Sequence, residues 1–83
     1  MKVRVFVTLK NGVLDPQGKA IEGALHGLGF GGAENVRQGK LIELDITDAS
    51  DAADAEGQAK EMCDRLLANP VMESYRVEVV GTA

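Results

Sequence analysis

The sequence predicts an α+β domain of element order β-α-β-α-β, with helices on one face of an antiparallel sheet and a long middle strand. Three observations carry that reading. Val3, Val5, Val7 and Leu9 alternate with Lys2, Arg4, Phe6, Thr8 and Lys10, the period of two of a half-buried strand. Two later segments, with Ile42, Leu44 and Ile46 and then Tyr75, Val77 and Val79, return to that period. Between them lie two apolar stripes at helical spacing, Ile21, Ala24, Leu25, Leu28 and Ala52, Ala55, Ala59, Met62, Cys63, Leu66, the second with Leu67 at its margin.

The first strand ends at Asn11-Gly12, which has turn chemistry. Asp15-Pro16 opens the first helix. The Asp15 carboxylate is placed to cap free amides, and Pro16 suits the first helical position, where its missing N–H costs nothing. Lys19, Glu22 and His26 share one side of this helix, and Ala20, Gly23 and Gly27 form a small-residue side. Each mid-helix glycine costs up to about 1 kcal/mol against alanine, so close packing is expected there. The helix exits near Gly29, with a loose turn at Gly31-Gly32.

The segment AENVRQGKLIELDI is long for a strand. Val36 is in phase with Ile42, Leu44 and Ile46, but Gln38 and Lys40 interrupt the apolar face. Two readings of residues 33–47 are open. One is a hairpin folding back around Gln38-Gly39, which gives the β-α-β-β-α-β pattern of ferredoxin-like domains. The other is one extended strand, whose split β-α-β halves are completed by segment swapping between two chains.

The second helix starts in TDASDAADAE, where Asp48, Asp51 and Asp54 complement the positive end of the helix dipole. Glu56–Lys60 and Glu61–Arg65 are i,i+4 pairs on its wet side. Asn69-Pro70 stops it, because the residue before a proline is pushed out of the α region. Val71 to Val80 reads as the last strand and Gly81-Thr82-Ala83 as a frayed end.

Size and composition exclude several functions. A chain of 83 residues is expected to form a single domain, 1–83, and buries only roughly 60–65% of its unfolded surface, so it is expected to gain stability by association. Its one cysteine, Cys63, permits no internal disulfide and no C-x-x-C site, and the chain reads as intracellular. No apolar run approaches the ~20 residues of a membrane span, and MKVRVFVTLK reads as a strand rather than a signal peptide. A net charge of −4 and three aromatic residues argue against nucleic-acid binding.

Two glycine strings mimic nucleotide motifs. In NGVLDPQGKA, five residues separate Gly12 from Gly18 where a phosphate loop has four, Ala20 replaces the hydroxyl that would hold magnesium, and Pro16 removes an amide. GLGFGG fits G-x-G-x-x-G by letter but closes a helix, and a helix C-terminus repels phosphate. His26 has no nucleophile at a recognisable spacing and reads as a surface residue. Cys63 reads as a small core residue. The acids from Asp45 to Glu56 lack the order of a calcium loop. Arg37 and Lys40 offer positive charge to an anion or a partner's carboxylate, or simply to solvent. No self-contained active site emerges.

VTLKNGVLDPQGKAIEGALHGLGF, ENVRQGKLIELDI and MCDRLLANPVMESYRVEV resemble, in this order, the PurS small subunit of phosphoribosylformylglycinamidine synthase, with LDPQG, VRQGK and LLANP as the specific blocks. The likeness covers Val3 to Val80. It implies a cytoplasmic subunit of purine biosynthesis. There a glutaminase subunit (PurQ) releases ammonia, and a synthetase subunit (PurL) uses ATP and magnesium to activate the amide of formylglycinamide ribonucleotide. The small subunit would bind no cofactor and carry no catalytic residue. It would associate with itself as a dimer or tetramer, bridge the other two and aid ammonia delivery. The resemblance favours the extended, swapped reading of the middle segment. Candidate interface residues are Asp15, Pro16, Gln17 and Gly18 in one loop, Arg37, Gln38, Gly39 and Lys40 in a second, and Asn69 and Pro70 in a third. The rival expectations are a free-standing ferredoxin-like module that binds a small regulatory ligand, and an activity of the chain's own.

Overall fold

A computed structural model describes residues 1–81; Thr82 and Ala83, expected at a frayed end, lie outside them. The elements are β1 (Lys2–Leu9), α1 (Pro16–Gly27), β2 (Gly39–Asp45), α2 (Ala52–Met62), a π-helical turn that continues α2 (Cys63–Leu67), and β3 (Glu73–Gly81). The sheet has three strands in the order β2-β1-β3. Both neighbours run antiparallel to β1. The element order and antiparallel sheet are those expected.

β1 organises the core because its alternation holds to the end. Val3, Val5 and Val7 are buried on one face. Their cross-strand partners are Leu44, Ile42 and Lys40 on β2 and Val79, Val77 and Tyr75 on β3. Against this face α2 lays Ala55, Ala59 and Cys63, all fully buried. Three small side chains in a row let the helix approach closely, and α2 packs on β1 and β3. The opposite face is a charge lattice. Arg4 lies between Glu43 and Glu78 at 3.9 Å from each, and Arg76 stacks over the Phe6 ring at 4.2 Å.

The start of α2 follows its acids. Asp51 Oδ1 accepts from the Asp54 amide at 2.8 Å, and Asp54 Oδ2 accepts from the Ser50 amide at 2.9 Å. That amide holds the Asp54 carboxyl below its usual value. The expected pairs Glu56–Lys60 and Glu61–Arg65 form, each at 3.1 Å. The end of the helix differs from expectation. Ala68 N–H donates to Cys63 O at 3.0 Å, a bond spanning five residues. The extra residue in that turn rotates the stripe, so Leu67 is half-buried and Leu66 is 83% exposed. An uninterrupted 3.6 period would have placed Leu66 inward. β3 begins at Glu73 rather than Val71, because 70–72 form the preceding turn.

The middle segment resolves into neither the hairpin nor the long strand within one chain. Its ladder begins at Gly39, and residues 33–38 have no strand partner. α1 also stands apart. It makes no contact with any strand comparable to those of α2. Of its expected apolar stripe, Leu25 is half-buried, whereas Ile21 and Leu28 are 40% and 74% exposed. The close packing expected at Gly23 and Gly27 is not supplied by the described residues; none of them lies within 4 Å of a Cβ added there. The molecule is therefore elongated, 49 × 28 × 14 Å, with a radius of gyration of 15.9 Å. A compact chain of this length has about 12 Å.

If the small stripe of α2 sets the helix–sheet spacing, Ala59→Leu overpacks it and costs about 1–3 kcal/mol. Gly57→Ala, on the exposed side of the same helix with open space around it, stabilises by about 0.5–1 kcal/mol. Denaturant unfolding of the two variants checks both signs.

Candidate functional site

The two loops singled out from sequence, LDPQG and VRQGK, meet at one carboxylate. Asp15 is buried although polar. As the N-cap of α1 it accepts from the Gly18 amide through Oδ1 at 2.9 Å. Through Oδ2 it accepts from the Gln38 amide at 2.8 Å, and Arg37 Nε lies 3.8 Å from the same oxygen. Arg37 also reaches the end of β1, where its Nη2 donates to Leu9 O at 2.8 Å and Lys10 O at 3.2 Å. One side chain thus joins the start of α1, the approach to β2 and, through Arg37, the end of β1. The amides of Gln38 and then Gly18 hold the Asp15 carboxyl below its ordinary range, with the Arg37 charge adding to them and burial opposing.

The glycines belong to this junction. A Cβ on Gly18 would meet Val36 O at 2.5 Å, and one on Gly39 would meet Val7 O at 2.5 Å. Only glycine lets the three backbones approach so closely. The geometry also removes the phosphate-loop reading, because the Gly18 amide that an anion would need is already taken by Asp15.

The ten predicted interface residues divide into three groups. Asp15, Gly18, Arg37 and Gly39, with the Gln38 backbone, are internal ties. Pro16, Gln17 and Lys40 line an open cleft of about 410 Å³ beside the junction, and a second of about 470 Å³ lies on its other side along Lys19 and Glu22. Asn69 and Pro70 form a turn stitched to the end of β1. Lys10 Nζ donates to Pro70 O at 2.6 Å and the Lys10 amide to Met72 O at 2.8 Å. Asn69 Oδ1 accepts from Val71 N at 3.0 Å, and Glu73 Oε1 accepts from Asn69 N at 2.7 Å.

Three participants were missed from sequence: Lys10, Glu22 and His26. Glu22 Oε1 accepts from the Val36 amide at 3.1 Å, and His26 Nε2 donates to Ala33 O at 2.7 Å. The signal available was that Glu22 and His26 share a helix side. Their backbone partners carry no pattern that would reveal them. Cys63 is buried, and burial raises its thiol pKa, as befits a core residue. Among the described residues, no group of three or more His, Cys, Asp or Glu is placed to hold a metal ion. No described helix is long and apolar enough to cross a membrane.

Residues 2–81 match the family model described as PurS, phosphoribosylformylglycinamidine (FGAM) synthase. The chain is 51% identical over 78 residues to the phosphoribosylformylglycinamidine synthase subunit PurS of Bacillus subtilis, covering 94% of this chain and 90% of that one. The Synechocystis subunit PurS is 49% identical over 78 residues, covering 94% and 77%. Among solved structures, Methanocaldococcus jannaschii PurS superposes with a TM-score of 0.82 at 36% identity, covering 93% and 92%. A chain in the structure of PurLQS from Thermotoga maritima gives 0.83 at 34%, covering 93% of each.

The junction makes two predictions. Gly18→Ala forces Val36 O or Asp15 aside and destabilises by roughly 1–3 kcal/mol. The Asp15 carboxyl is depressed in the fold. Its stabilisation is therefore present above the unfolded pKa of about 3.9 and is lost as pH falls through the lower folded value. The melting temperature of Asp15→Asn is accordingly lower than wild type at neutral pH and falls less steeply below about pH 4. Thermal melts across that pH range check the difference in slope.

Proposed function

The chain belongs to the PurS family, and on that premise we propose that it is a non-catalytic subunit of phosphoribosylformylglycinamidine synthase in purine biosynthesis. In that role it bridges a glutaminase (PurQ) and a synthetase (PurL) and aids the passage of ammonia between them. The glutaminase frees ammonia from glutamine, the synthetase spends ATP to phosphorylate the amide oxygen of formylglycinamide ribonucleotide, and ammonia displaces the phosphate to give the amidine. This chain contributes surfaces to that sequence rather than reacting groups, binds no cofactor of its own, and acts in the cytoplasm as one domain over residues 1–83.

The observation that carries the assembly reading is that α1 leaves its own sheet. Among the described residues its stripe is only partly covered: Leu25 is half-buried, while Ile21 and Leu28 are exposed. The valine face correspondingly lacks a second helix: α2 lies over β1 and β3, while Ile42 and Leu44 on β2 stay half-buried. A second copy supplies what each lacks. The α1 of one copy covers the β2 side of the other's sheet, and residues 33–38 run along its free edge. Two exchanged arms give a symmetric dimer, and dimers of this kind are units that can pair again.

The rival reading, a free-standing module for a small ligand, finds less support. The clefts beside Asp15 are open, and both oxygens of that carboxylate already accept backbone amides. Purified glutaminase and synthetase subunits, assayed for glutamine-dependent amidine formation with and without this chain, test the proposal. Activity is expected to depend on the chain, and the three are expected to elute together on sizing. Equal activity without it and no ternary complex would contradict the role.

A further inference from the structure

α1 has 12 residues, a length at which an isolated helix is marginal in water, and it contains Gly18, Gly23 and Gly27. Among the described residues no strand packs on it as β1 and β3 pack on α2. What holds it is a set of side-chain ties to the returning segment. Asp15 accepts from the Gln38 amide at 2.8 Å, Glu22 accepts from the Val36 amide at 3.1 Å, and His26 Nε2 donates a hydrogen bond to Ala33 O at 2.7 Å. The order is antiparallel: 15, 22 and 26 going out meet 38, 36 and 33 coming back. Positions 22 and 26 are one turn apart and so share one side of the helix, and Asp15 is its N-cap. The returning segment makes no ladder bonds of its own, and these ties satisfy its amides at Val36 and Gln38.

We propose that Glu22 and His26, together with Asp15, are positioning residues for self-association: they brace residues 11–38 into a preformed arm and so set the strength of the dimer without contacting the second copy. This rests on the self-association reading above. An arm ordered before encounter loses less conformational freedom on binding than one ordered by it, so hydrogen bonds internal to one chain govern an equilibrium between two. The brace leaves the other side of α1, with Ile21 and Leu28, free to be covered.

Sedimentation equilibrium of the full chain tests it. Glu22→Ala and His26→Ala each remove a tie, and together they are expected to raise the dimer dissociation constant by about tenfold or more. Glu22→Gln keeps an oxygen for the Val36 amide, and His26→Gln keeps an N–H for Ala33 O. Both are expected to stay near wild type. Unchanged association in the alanine variants, or glutamine variants as weak as alanine, overturns the proposal while leaving self-association standing. A wild-type chain that stays monomeric at every concentration overturns the self-association reading itself. The nitrogen shifts of His26 at neutral pH give a reading that needs no variant. The brace requires the proton on Nε2, and a neutral ring protonated only on Nδ1 contradicts it.

Discussion

A single carboxylate, that of Asp15, sits where three stretches of chain must be brought together, and the arrangement of the molecule depends on it. Burying a charge is costly unless it is hydrogen-bonded and paired. Here both oxygens accept backbone amides and Arg37 lies alongside. The same contacts cap α1 and fix the direction in which the chain approaches β2. Gly18 and Gly39 make the junction possible by leaving out the Cβ atoms that would collide with Val36 O and Val7 O. The LDPQG loop, which looks like part of a phosphate loop in the sequence, is thus one half of a structural knot, and VRQGK is the other.

The consequence is an arm rather than a closed domain. In a compact chain the first helix would fold back over the valine face. Here it is directed away, and the face keeps a half-covered side on β2. A chain of this size has little core to spare, so leaving Ile21 and Leu28 in water is a cost, and the proposed dimer would remove it. The charge lattice on the opposite face, Lys2, Arg4, Glu43 and Glu78, is by contrast suited to water. Membership of the PurS family and the exposed Ile21 and Leu28 of α1 both support the proposal that the chain acts through its contacts.

Much of this was legible from residue order. The alternation in β1, the Asp15-Pro16 helix start and the acidic cap of α2 each rest on local chemistry, and local chemistry decides them. Three features were not legible. The π-helical turn moved Leu66 outward and Leu67 inward, because one extra residue per turn is invisible to a periodic pattern. Residues 33–38 read as strand because Val36 keeps the phase of Ile42. Strand identity, however, is settled by a neighbour to pair with, and one chain offers none. The ties of Glu22 and His26 were hidden because backbone amides are the same in every residue. The close packing expected on the small-residue side of α1 is not met among the described residues, where nothing lies within 4 Å of a Cβ added to Gly23 or Gly27.

In the dimer we propose, α1 finds its cover on another copy. The direct measurement is an isotope-filtered NOE spectrum of a mixed sample, in which half the chains carry ¹³C and half do not, refolded together. Intermolecular NOEs are expected from the methyls of Ile21 and Leu28 to those of Ile42 and Leu44. If those contacts appear only within single chains, or are absent at concentrations where the protein is dimeric, the arm does not do what is claimed for it.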